Sequence, residues 1–166
     1  MPSGGLLAFA IWRELRPQEE ELAMNVAAIL AAKGRDVATI PPHRTLREAA
    51  QLLGERRIGA VVVTGASNDV LGILSERDIV RAVGISGAAC LEDAVSRHMT
   101  AKVVTCSEAM DLNDLMEAMT AGRFRHMPVV EDGRLGGIIS IGDVVKHRVA
   151  VIEADARAMR DYIAMA

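Results

Sequence analysis

The stretches GILSERD, residues 72–78, and GIISIGD, residues 137–143, each run from a glycine through two aliphatic residues to a serine, with an aspartate three positions further on. A serine between a strand and a helix is an N-cap, and an acidic residue at the third helical position completes a capping box. Ser75 with Asp78 and Ser140 with Asp143 therefore mark two places where a strand turns into a helix. The same geometry is a shelf for ligands. Amides at a helix N-terminus and the hydroxyl hold a phosphate, and a short carboxylate one turn in accepts two hydrogen bonds from vicinal ribose hydroxyls. One such motif alone reads as a cap; two at equivalent positions of a repeat point to binding.

The chain outside the two motifs repeats as well. Laying residues 39–80 against residues 105–145 gives an offset of 66 at the start, from 39 to 105, and of 65 at the aspartates, from 78 to 143. One residue is lost in the turn between 65–69 and 131–134, where a loop tolerates it. Each repeat opens on a short strand, 37–40 and 103–106. A helix follows, with apolar residues at i, i+3, i+4 and i+7: Leu46, Ala49, Ala50 and Leu53, then Leu112, Leu115, Met116 and Met119. Thr45 with Glu48 is a capping box for the first of these helices and Asp111 caps the second. Two strands across a turn come next, 60–64 with 70–74 and 127–130 with 135–139, and a second helix starts after Ser75 and after Ser140. A β-α-β-β-α unit of this size cannot bury both faces of its sheet alone, so two copies are expected to share one core as a pseudo-twofold α+β sandwich.

The flanks predict single helices. Residues 19–33 carry Leu22, Val26, Ile29 and Leu30 on one face and stop at Gly34. Residues 1–23 are expected to form a poorly ordered extension, whose apolar run at 6–12 is too short to span a bilayer. Residues 24–87 then make up the first repeat with its preceding helix, 88–150 the second repeat, and 151–166 a C-terminal helical extension. From 143 to 165 no glycine or proline interrupts the chain, and Val145, Ile152 and Met159 recur at steps of seven with Val149, Ala156 and Ile163 four after each. That is a heptad seam, which packs either on the chain's own N-terminal helix or on a partner subunit.

Composition narrows the function. With 51% hydrophobic but only 2% aromatic residues in 166, the core is aliphatic and base-stacking platforms are not expected. A formal charge of −3 supplies no general field for nucleic acid or an anionic membrane. Cys90 and Cys106 form no CxxC motif and read as buried thiols in a reducing cytoplasm. His43, His98, His126 and His147 lack metal-ligand spacing, and no GxGxxG, GxxxxGK[ST] or HExxH occurs, so neither a metal nor catalysis is expected.

Taken together, Gly-h-h-Ser-x-x-Asp closing both repeats, Arg57-Ile58-Gly59-Ala60 in the first and Arg123-Phe124-Arg125-His126-Met127-Pro128 in the second resemble a tandem CBS-domain pair, or Bateman module. The resemblance covers residues 26–148, including the 93–100 approach to the second repeat. It implies a non-catalytic regulatory sensor that binds an adenosine-containing ligand between the repeats. AMP leads, with ADP, ATP, NAD(H) and S-adenosylmethionine behind it. By position, Asp78 and Asp143 would hold ribose, with Ser75 and Ser140 at ribose or phosphate. Ala38, Thr39, Val104 and Thr105 would frame adenine together with Ile58, Gly59, Ala60 and Met127, and Arg57, Arg77, Arg125 and His126 are the phosphate candidates. The family also implies a homodimer that acts through another, unnamed effector protein.

The two sites are not expected to be equal, because Arg77 stands opposite Gly142 and Gly59-Ala60 opposite Arg125-His126. The alternative is a structural dimerisation module in which both Ser-x-x-Asp motifs are helix caps and nothing more.

Overall fold

The computed structural model describes residues 24–165. The chain begins with α1 (Val26–Lys33), then β1 (Thr39–Ile40), α2 (Leu46–Arg56), β2 (Ala60–Thr64), β3 (Val70–Ser75) and α3 (Glu76–Ser86). Two short 3-10 turns, Gly87–Glu92 and Val95–Arg97, lead into α4 (Leu112–Gly122), β4 (His126–Glu131), β5 (Arg134–Ser140) and the long α5 (Ile141–Met165). Strand β1 pairs parallel with β2 and β2 antiparallel with β3, while β4 and β5 form a second antiparallel sheet. This is the expected α+β architecture of two β-α-β-β-α repeats with flanking helices.

Local chemistry sets the boundaries. Helix α2 has the Thr45–Glu48 capping box and α4 has Asp111, whose side chain accepts from the Asn113 amide. Both helices end on an arginine in the left-handed conformation, Arg57 at φ 53° and Arg123 at φ 54°, which turns the chain sharply into the following strand. Helix α1 starts at Val26, with Asn25 as an extended N-cap accepting from the Ala28 amide, and not at residue 19. Residues 1–23, including Leu22, lie outside the described residues.

The first strand of the second repeat is shorter than the expected 103–106. Only Cys106 remains, in a parallel bridge to Val129, with its amide donating to the Pro128 carbonyl at 3.0 Å. The cause is Pro128. In the first repeat the Val62 amide donates to the Ala38 carbonyl at 3.1 Å, and proline at the corresponding position of the second has no N–H to offer Val104.

Each half also has its own buried cluster where one shared core was expected. One gathers Leu46, Val61, Val63, Leu74 and Val95, the other Leu112, Leu115, Met127, Ile139 and Val144. The halves are tied by exchanged leading segments. Val26, Ile29 and Leu30 of α1, ahead of the first repeat, are buried in the core of the second, and Cys90 and Val95, ahead of the second repeat, are buried in the core of the first. Matching bridges, Asn25 to Asp111 and Thr45 to Ala94, hold each segment at the N-cap of the other repeat's helix. The motif glycines make room for this exchange. A Cβ on Gly137 would lie 2.8 Å from Leu30 Cδ2, and one on Gly72 would lie 3.0 Å from the Thr100 carbonyl oxygen.

Among the described residues α5 meets α1 only at its start, where Val144 joins the core that holds Val26, Ile29 and Leu30, and the seam beyond it is left exposed. Along α5 only Val144 is buried, and Ile152, Met159 and Ile163 are 66%, 59% and 67% exposed.

Candidate nucleotide clefts

Both Ser-x-x-Asp motifs close as capping boxes at the point where an antiparallel strand pair ends. Ser75 faces Ala60 across β2–β3, and Ser140 faces His126 across β4–β5. The Ser75 amide and hydroxyl donate to Asp78 Oδ2 at 2.8 and 2.6 Å, and those of Ser140 donate to Asp143 Oδ2 at 2.8 and 2.8 Å. In both carboxylates the bonds go to Oδ2, and Oδ1 makes no hydrogen bond among the described residues. The first amide of each helix is committed as well. Glu76 donates to the Gly59 carbonyl at 3.0 Å and Ile141 to the Arg125 carbonyl at 2.9 Å, which docks the helix on the strand entry of its own repeat.

The exchanged topology builds two clefts, each pairing the shelf of one repeat with the strand entries of the other. The first, about 670 Å³, joins Ser75 and Asp78 to Lys102, Val103, Val104 and the 122–126 segment. The second, about 420 Å³, joins Ser140 and Asp143 to Lys33, Val37, Ala38 and the 56–60 segment. Gly59, Ala60 and His126 line both, so the clefts share a wall. A Cβ on Gly59 would stand 3.2 Å from His126 Cε1, so the absence of a side chain there lets the ring lie against the backbone. A third, mainly apolar groove between α2, α3 and the start of α5 contains neither serine nor aspartate of the motifs.

Their electrostatics differ. The Asp78 cleft presents Arg77, Arg81, Lys102, Arg123 and Arg125 around a single carboxylate. Among them Arg77 reaches the Arg123 carbonyl at 3.4 Å and Arg125 lies 3.7 Å from Glu76. In the Asp143 cleft most of the charges are paired, and among the described residues Arg57 is the cation left without an ion pair. Lys33 Nζ donates to Asp143 Oδ2 at 2.8 Å and to the Ile138 carbonyl at 2.7 Å, and Arg56 meets Asp36 at 3.0 Å. Burial pushes the Asp143 carboxyl up, but the Lys33 ammonium and the Ser140 donors outweigh it and hold the group below the usual carboxylate range. His126 is pushed down, first by burial and then by the Arg125 charge beside it, so its ring is neutral at pH 7.

Of the residues singled out in the sequence, Arg57, Ile58 and Ala38 line the second cleft, and Arg77, Val104 and Arg125 the first. Thr39, Thr105 and Met127 line neither. Thr39 and Thr105 face solvent, and the Met127 side chain is fully buried in the core of the second half. Met127 follows His126 on β4, and alternation along a strand sends it to the opposite face. Lys33 and Lys102 were not anticipated. Lys102 stands just before the missing strand, and Lys33 comes from a helix that reaches this cleft only through the exchange; no local motif announces either.

Each repeat, 31–85 and 93–150, matches the CBS domain model. The chain belongs to the CBS-domain family. The pair resembles a CBS-domain-containing protein of Agrobacterium tumefaciens at 56% identity, with TM-score 0.74, over 76% of this chain and 94% of that one. It is 33% identical to an uncharacterised 17.7 kDa protein of Acidianus ambivalens over 75% of this chain and 73% of the other. A CBS domain protein of Pyrobaculum aerophilum, complexed with AMP, aligns at 27% identity and TM-score 0.68 over 80% and 98% of the two chains. CBS domains are in general regulatory and not catalytic. In this pair burial pushes the Cys106 thiol up to about 11, which leaves it a poor nucleophile. No helix of the described residues is long and apolar enough to cross a membrane.

Proposed function

We propose that this CBS pair is a cytoplasmic regulatory sensor that binds an adenosine-containing nucleotide, AMP foremost, and signals as a homodimer through a separate effector protein. The observation that carries the reading is the Asp78 cleft: an aspartate with one free oxygen on a helix N-terminus, next to a short apolar strand entry and five cationic side chains. Asp78 Oδ1 takes the ribose hydroxyls, Val104, Gly59 and Ala60 frame the base, and Arg77, Arg125 and Lys102 receive phosphate. The AMP complex of the Pyrobaculum relative supports this ligand class. ADP, ATP and NAD(H) add phosphate that the same cations accommodate, and S-adenosylmethionine is the cationic member of the set.

A second reading has its own support. Both capping boxes are complete within the chain, which is what a purely structural dimerisation module requires. A thermal-shift screen against AMP, ADP, ATP, NAD, NADH and S-adenosylmethionine separates the two. A ligand that binds only the folded state raises the melting temperature by mass action. Stabilisation by one of the six that disappears in Asp78→Ala establishes the sensor; no shift with any of them leaves the capping module.

A further inference from the structure

Helix α5 carries an apolar stripe that no other element of the described residues covers. Val145, Val149, Ile152, Met159 and Ile163 are 51%, 48%, 66%, 59% and 67% exposed, and Ala156 between them is exposed as well. Spacings of four and three put Val145, Ile152 and Met159 at d and Val149, Ala156 and Ile163 at a of a heptad, over about 28 Å of helix. The flanking positions then follow: Lys146, Glu153 and Arg160 at e, Arg148, Asp155 and Tyr162 at g. Lys146, Glu153, Asp155 and Arg160 are exposed, and none is in an ion pair among the described residues.

The charges choose a partner and a direction. In a parallel, in-register pair each g residue faces the e residue five positions on in the other helix. Asp155 then meets Arg160 of the second copy, twice by symmetry, and Arg148 faces Glu153 in the same way, although Arg148 also hydrogen-bonds its own Asn113 on α4. Run antiparallel with the whole stripe overlapped, the helices bring e to e and g to g. Glu153 would face Glu153, Asp155 would face Asp155 and Lys146 would face Arg160, and every one of these is a like-charge contact. We propose that α5 is the docking surface for a second copy of this chain and that the two helices pair parallel and in register as a short coiled coil. The two CBS pairs then sit at the same end of the coil.

Cross-linking of the full-length chain tests both the surface and the direction. Met159 is a d position, and in a parallel coil two such residues face each other within disulfide reach. Cys90 and Cys106 are buried, so unaltered protein serves as the background. Under mild oxidation Met159→Cys is expected to run as a covalent dimer. In the antiparallel alternative residue 159 faces residue 149, about 15 Å along the coil from its own copy, and only a mixture of Val149→Cys and Met159→Cys chains would cross-link. Separately, Asp155→Arg should raise the dimer dissociation constant about tenfold, and Asp155→Arg with Arg160→Asp should restore it, as expected of paired e and g charges. The proposal is overturned by a monomer in light scattering at micromolar concentration, by cross-linking only of the 149/159 mixture, or by a dimer in which Met159→Cys stays reduced. The first result would place α5 against another occupant, the second would reverse the helices, and the third would move the dimer to another surface.

Discussion

The Asp78 and Asp143 clefts share a backbone plan and differ in what their side chains have already been given to hold. Both shelves have the same capping box, with the same serine donors on the same carboxylate oxygen. Yet Asp143 is bridged by Lys33 at 2.8 Å, while among the described residues no ion pair reaches Asp78, and of the cations lining its cleft Arg125 alone is paired, with Glu76. A duplicated fold keeps its geometry because geometry is fixed by caps, registers and buried aliphatics. Electrostatic character is set by a few exposed residues that the fold does not constrain, and that is where the two halves have diverged.

The comparison can be broken most directly at the aspartates. Asp78→Ala removes charge-assisted hydrogen bonds of about 1.5–3 kcal/mol each from a bound ribose, so affinity for AMP should fall about a hundredfold or more in titration calorimetry. Asp143→Ala should leave that affinity within a few-fold. Each substitution also removes the carboxylate half of a capping box and should cost about 1 kcal/mol in denaturant unfolding, which separates the loss of binding from the loss of fold.

A next smaller effect compares the motif glycines. Gly72→Ala and Gly137→Ala force a Cβ against the segment exchanged from the other repeat, with overpacking costs of about 1–3 kcal/mol. Gly72→Ala should be the worse of the two, because its neighbours include the Thr100 backbone carbonyl, whereas at Gly137 the Leu30 side chain can turn away. Urea midpoints of the two variants check the order.

Proton linkage sharpens the contrast further. The Asp143 carboxyl is held below its ordinary range in the folded protein, so it contributes stability at neutral pH that is lost as pH falls below about 4. Lys33→Met should remove much of this acid dependence at a cost of under about 1 kcal/mol at pH 7, since the pair is partly exposed. His126 is held below its ordinary range by burial and Arg125, so the unfolded chain binds its proton first and stability declines as pH falls from about 6.5. His126→Gln should flatten the stability profile between about pH 5 and 7.

Much of the fold is legible in residues 39–80 and 105–145, because caps, helical periodicity and strand alternation are local. Thr45 with Glu48, Leu46 to Leu53 and the Ser-x-x-Asp motifs all do in the structure what their spacing implies. What was not legible is long-range. Nothing near Val26, Ile29 or Leu30 says that α1 belongs to the core of the second repeat, and so nothing brings Lys33 to Asp143. The loss of the strand at 103–106 depends on Pro128, a residue more than twenty positions away whose missing amide matters only once the register is known. The Met127 side chain turns into the core because its neighbour His126 faces the clefts, and side chains of adjacent strand residues point to opposite faces.

The most direct measurement is titration calorimetry of AMP into the wild-type protein, Asp78→Ala and Asp143→Ala. The account predicts binding in the wild type, retained in Asp143→Ala and lost in Asp78→Ala. Binding that survives in Asp78→Ala but disappears in Asp143→Ala would contradict it, as would the absence of heat with AMP or any other adenosine-containing ligand.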